Sequence, residues 1–157
     1  MGYSISWIAL RDKAPDEAVK LLGLAPTGDT EEVPESMFSG MQLGTGWYLV
    51  VINQHGHPLV QEKSLHAVSA TCDVVAATIE EHVMSSSVEC WKDGRLQWSV
   101  AHESESGAGW ALFSSLFDCC DRNLAYQVAD RGPAVTLRWE EKTAPEILDD
   151  GICEFRI

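Results

Sequence analysis

The dipeptide Asp93-Gly94 sets the strongest local constraint on this chain. It is flanked by Val88-Glu-Cys-Trp-Lys on one side and Arg95-Leu-Gln-Trp-Ser-Val on the other. Asp-Gly favours the left-handed backbone of a type I′ turn, whose twist matches that of two paired strands. A hairpin is therefore expected here. A two-residue turn would pair Trp91 with Leu96, Glu89 with Trp98 and Ser85 with His102, placing Trp91 and Trp98 on one face. Upstream, Val75, Ala77, Ile79, Glu81 and Val83 alternate with Val74, Ala76, Thr78, Glu80 and His82. The first set is the more apolar and is expected to face the core. Glu80 and His82 would then share the wetter face.

Trp47 to Ile52 reads Trp-Tyr-Leu-Val-Val-Ile. A continuous apolar run needs cover on both faces, so this strand belongs in the middle of a sheet. Tyr3 to Leu10 also has strand character. Pro15, Ala18, Val19 and Leu22 fall at helical spacing, with acids in the first turn and Gly23 as a stop. Ala25 to Glu35 contains Pro26, Gly28, Pro34 and four acids and reads as a solvated loop. Ser36 to Leu43 is weakly strand-like, and Gly40 argues for a sheet edge. Gln61 to Ala70 suits a short helix with Leu65 and Val68 inward.

Phe113, Leu116, Phe117, Cys120, Leu124 and Val128 form a helical stripe. Ala134 to Trp139 is a strand. Thr143-Ala-Pro-Glu resembles a capping box opening a short helix through Leu148. Ile152 to Ile157 reads as a terminal strand. The pattern predicts one α+β domain over residues 1–157, with a mainly antiparallel sheet of about six or seven strands and two or three helices packed on it. At 157 residues, a chain buries about 70% of its unfolded surface and folds without staples.

The formal net charge is −13. Such a surface repels phosphate backbones and anionic lipid, which argues against nucleic acid and membrane surfaces and favours a basic partner. Five cysteines with no C-x-x-C spacing match neither a zinc ribbon nor a disulfide framework, and read as reduced thiols in a cytoplasmic setting. The apolar run Ile5–Leu10 is too short for a membrane span and lacks a basic leader.

Four groupings bear on chemistry. Glu80, Glu81, His82 and His102 are the residue types that bind zinc or supply a general base with an orienting acid. In the expected register, however, His82 lies about 10 Å along the strand from the position paired with His102. His55-Gly-His57 has no evident third ligand. Asp118 and Asp121 flank Cys119 and Cys120 and would raise their pKa, against a nucleophilic role. Ser85-Ser-Ser87 lacks a nucleophile elbow, and no phosphate-binding loop or H-E-x-x-H motif is present.

The sequence therefore favours a non-catalytic module that masks a basic surface, as inhibitor and immunity proteins do, with no cofactor. Its expected contact acids are Glu31, Glu32 and Glu35, or Glu140, Glu141, Asp149 and Asp150. The alternative is a metal-dependent or acid/base enzyme using Glu80, His82 and His102.

Overall fold

The structure is a computed structural model that describes residues 4–102, 134–139, 146–147 and 153–154. The chain order is β1 (Ser4–Arg11), α1 (Pro15–Leu21), β2 (Leu24–Glu31), β3 (Phe38–Gln42) and β4 (Trp47–Ile52). A 3-10 turn (Pro58–Val60) and α2 (Glu62–Ser69) come next. The remaining strands are β5 (Val74–Glu80), β6 (Ser85–Lys92), β7 (Arg95–His102), β8 (Ala134–Trp139), β9 (Glu146–Ile147) and β10 (Cys153–Glu154). Eight strands form one sheet in the order β2-β8-β3-β4-β1-β5-β6-β7, and β9 pairs with β10 separately. Every pairing is antiparallel. The architecture is thus the expected α+β type with a larger sheet than the six or seven strands predicted. No described helix is long and apolar enough to cross a membrane.

Strand alternation divides the buried side chains between two faces. Ile8, Leu10, Tyr48, Val50, Ile52, Val74, Ala76 and Trp91 pack with Ala18, Val19 and Leu22 of the α1 segment and with Leu59, Leu65 and Val68 around α2. Each fully buried aliphatic side chain here contributes about 1.5–3 kcal/mol. Ala9, Trp47, Leu49, Val75, Ala77 and Val88 form a second apolar cluster on the other face. Val75 and Ala77 are buried as expected, but in the cluster away from the helices, while Val74 and Ala76, expected on the wetter face, are buried against the helices. The run Val74-Val-Ala-Ala is apolar on both faces, so alternation alone did not reveal which one the helices cover.

The Asp93-Gly94 hairpin forms as expected. Both residues have positive φ, 51° and 67°, and Lys92 pairs with Arg95. Trp91 pairs with Leu96, but the register then shifts and Cys90, not Glu89, faces Trp98. The extra residue is Gln97. A one-residue slip turns all following side chains over. Trp91 therefore joins the helix-side cluster and Trp98 the opposite one, contrary to the shared face predicted.

Three further expectations need correction. The stretch read as a loop from Ala25 is strand β2, an edge strand whose pairing to β8 is irregular between Pro26 and Thr30. Proline and a left-handed Gly28 (φ 93°) are tolerated at an edge with a bulge. β3 is an inner strand, flanked by β8 and β4. Gly40 is needed for close approach: a Cβ there would collide with Tyr48 Oη and lie 2.8 Å from Leu137 Cδ1. Glu146–Ile147, expected in a helix, pairs as a strand with β10, so cross-strand pairing prevails over the local capping signal. The predicted helix along residues 113–128 lies outside the described residues.

Candidate functional site

The strand register gathers several loops at one end of the sheet. Phe38, Ile52, Ser6 and Thr78 form one row across β3, β4, β1 and β5. Just beyond that row lie the 32–37 loop, the 53–57 loop, the start of β1 and the turn after Glu80. His102, the last residue of β7, reaches the same end opposite Ser86. Residues 31–38, 52–58 and 80–86 contain no lysine or arginine.

The 32–37 loop is fixed at its base from two directions. Glu31 Oε2 accepts from the Ser36 N–H at 3.2 Å and the Ser36 hydroxyl at 2.9 Å. The buried Ser39 hydroxyl donates to Oε1. Burial alone would raise the Glu31 pKa, but these donors, Ser39 first, outweigh it and hold the carboxyl below its ordinary value. Just past β4, Asn53 Nδ2 donates to the carbonyls of Pro34 at 3.0 Å and Ser36 at 2.6 Å. The Asn53 N–H donates to Met37 O at 3.0 Å. The loop's backbone is therefore set by Glu31 and Asn53 on either side of it, while Glu32, Val33, Glu35 and Met37 project outward and are exposed.

The turn after β5 is organised by Glu80. Its Oε2 accepts from the Ser4 hydroxyl at 2.5 Å. Its Oε1 accepts from the His82 N–H at 3.2 Å and lies 2.7 Å from His82 Nδ1. Hydrogen bonds from Ser4, then His82, lower the Glu80 pKa to about 2. Met84 closes the turn with φ 50°, and Glu81, His82, Val83 and Met84 are all exposed.

The structure thus brings Glu80 and His82 together, as the sequence suggested, but in a turn and not along a strand. His102 is placed apart from them. Its partner Ser86 alternates with Ser85, the neighbour of Glu80, so His102 and Glu80 occupy opposite faces by register. Among the described residues no group of three His, Cys, Asp or Glu side chains converges as metal ligands. His55 is exposed and His57 buried. His57 Nδ1 accepts from the Leu59 N–H at 3.2 Å, its ring meets Phe38 edge-on at 5.2 Å, and burial lowers its pKa. The two therefore do not face a common ion.

Of the acids expected to contact a partner, Glu32 and Glu35 are exposed, while Glu31 is turned into the loop's base. Glu140, Glu141, Asp149 and Asp150 lie outside the described residues. The sequence reading missed Ser36, Ser39 and Asn53 as braces, and nothing in the order of residues marks them. It also missed Val33 and Met37, whose signal was present: large apolar side chains inside an acidic, proline-containing loop. No protein-family model, curated protein or solved structure matches the chain.

Proposed function

We propose that this chain is a non-catalytic binding module for a basic protein partner, with Glu32 and Glu35 at the contact surface. One observation carries the reading. The loop bearing these acids is held at its base by Glu31 and Asn53 while its acidic and apolar side chains stay outside. A loop ordered before the encounter loses less entropy when it binds. The overall charge of −13 steers a cationic partner toward it and sets its salt dependence.

The test uses a lysine/serine peptide and its glutamate/serine counterpart, titrated by calorimetry. The lysine peptide should bind at low salt and weaken at high salt, and the glutamate peptide should not bind. Glu32→Gln with Glu35→Gln should weaken the lysine peptide roughly three- to tenfold, the scale of two exposed charges. Unchanged affinity in that double variant would remove the loop from the interface.

A second reading rests on the 2.7 Å contact between Glu80 and His82 Nδ1. A carboxylate on Nδ1 orients the imidazole and leaves Nε2 as a general base. If that pair is catalytic, ester or amide hydrolysis by the protein should fall when His82 is replaced by Gln. Under the binding reading, His82→Gln leaves any such background rate unaltered.

A further inference from the structure

Five large apolar side chains are exposed among the described residues, and four of them stand at the carboxylate-bearing end of the sheet. Val33 is 61% exposed and Met37 50%, in the braced loop; Val83 is 62% and Met84 64%, in the turn after β5. The fifth, Leu96 (46%), lies beside the Asp93-Gly94 turn at the other end. Isolated apolar residues on a surface need no explanation, but apolar pairs on two separate loops at one end mark an interaction surface.

The geometry joins the two pairs. The 32–37 loop runs into β3 and the 81–84 turn leaves β5, and these strands are separated by β4 and β1 in the sheet. Three inter-strand gaps are about 14–15 Å. Between them lie the exposed, polar Gln54 and His55. The acids Glu32 and Glu35 flank the first pair, and Glu81 the second. A helix of about ten residues is 15 Å long, enough to reach from one apolar pair to the other across this polar floor.

We infer that the 32–37 loop and the 81–84 turn form one docking surface for a basic amphipathic helix of a partner protein. The inference rests on the proposed binding function and specifies the partner's form. The helix sets apolar residues spaced three and four apart on Val33, Met37, Val83 and Met84, and its lysines or arginines meet Glu32, Glu35 and Glu81. Charge selects this occupant. Residues 31–38, 52–58 and 80–86 are free of lysine and arginine, in a chain of net charge −13, so an acidic segment or a second copy of this chain would meet like charge.

The test compares two peptides of equal length and lysine content. In one, leucines recur at helical spacing; in the other, serines replace them. The wild-type protein should prefer the lysine/leucine peptide at least tenfold, and the peptide should gain helical circular dichroism when it binds. Val83→Ser with Met84→Asn should reduce that preference about three- to tenfold and leave lysine/serine binding unchanged. Asn suits the left-handed backbone at residue 84. Val33→Ser provides an independent reduction from the other loop.

Equal affinity for the two peptides would overturn the inference, as would a preference untouched by substitutions in the 81–84 turn. If Glu32→Gln with Glu35→Gln still weakens both peptides in that case, the binding function stands and only the two-loop surface fails. If neither peptide responds to those charge changes, the loop is not the interface and the binding reading built on Glu32 and Glu35 fails with it.

Discussion

The sheet treats charge differently at its two ends. Where β1 finishes, acids and bases neutralise each other: Arg11 lies 3.6 Å from Asp12 and 4.0 Å from Asp73, and Lys92 lies 3.6 Å from Asp73. The Arg11 guanidinium also sits over the Trp47 ring, 5.7 Å from its centroid. At the opposite end, Glu31 and Glu80 are held by serine hydroxyls, backbone N–H groups and a histidine. Hydroxyls and amides orient a carboxylate without cancelling its charge. One end therefore ties its charges together, while the other presents negative potential on a fixed backbone. Exposed apolar side chains concentrate at the second end, which is the combination a docking surface requires.

The largest effect expected from breaking this arrangement is at Asn53. Its side chain supports two loop carbonyls, and each such hydrogen bond contributes about 1 kcal/mol. Asn53→Ala should therefore cost about 2 kcal/mol of stability, read as a lower urea midpoint. Hydrogen exchange should show lost protection, confined to residues near 34–37. Affinity for the lysine peptide should fall although no charge has been removed. If affinity is retained while protection is lost, the brace is a matter of stability alone.

A smaller effect is expected at the ion-paired end. Asp73→Asn leaves Arg11 and Lys92 without a shared anion. The side chains are 44%, 54% and 29% exposed for Arg11, Lys92 and Asp73, so the loss should be about 0.5–1 kcal/mol and should shrink in salt. Measured at physiological salt, peptide affinity should not change, because a strand of seven residues separates the two ends by about 23 Å, more than twice the Debye length there. An Asp73→Asn protein that binds the lysine peptide as weakly as the Glu32/Glu35 variant would erase the distinction between the ends.

What was legible in the sequence follows the reach of each signal. Asp93-Gly94 specified its turn through local backbone preference, and Trp47–Ile52 declared a central strand by being apolar on both faces. Pro15 and Gly23 bracketed α1 by helix-end chemistry. The failures share a different cause. Gly40 looked like an edge residue because its reason, the Tyr48 ring, lies on the neighbouring strand. Pro26 and Gly28 disguised β2, since an irregular edge strand and a loop have the same composition. Gln97 shifted the hairpin register with no local mark. For the site, an acidic cluster at Glu31, Glu32 and Glu35 was visible, but its division into one inward brace and two outward charges depends on Ser36, Ser39 and Asn53, all brought there by tertiary structure.

The smallest effect discriminates most finely between the ends, and it concerns Ser4. The Ser4 hydroxyl is the leading cause of the depressed Glu80 pKa, followed by His82. Because the folded-state pKa, about 2, lies below the ordinary 4.5, Glu80 supports the fold above about pH 4.5 and loses that support as pH falls toward 2. Ser4→Ala should raise the Glu80 pKa toward its ordinary value, which lowers stability slightly at neutral pH, where that support is fully present, and flattens this part of the acid limb. Carboxyl-carbon NMR titration measures the shift directly. Since Glu80 remains ionised at pH 7 in either protein, Ser4→Ala should leave lysine-peptide affinity unchanged there. Between pH 3 and 4 the variant should be the first to lose its charge at this end. A Glu80 pKa that stays near 2 in Ser4→Ala would mean that His82, and not the hydroxyl, holds the carboxylate, making this turn an ion-paired site like the one at Asp73.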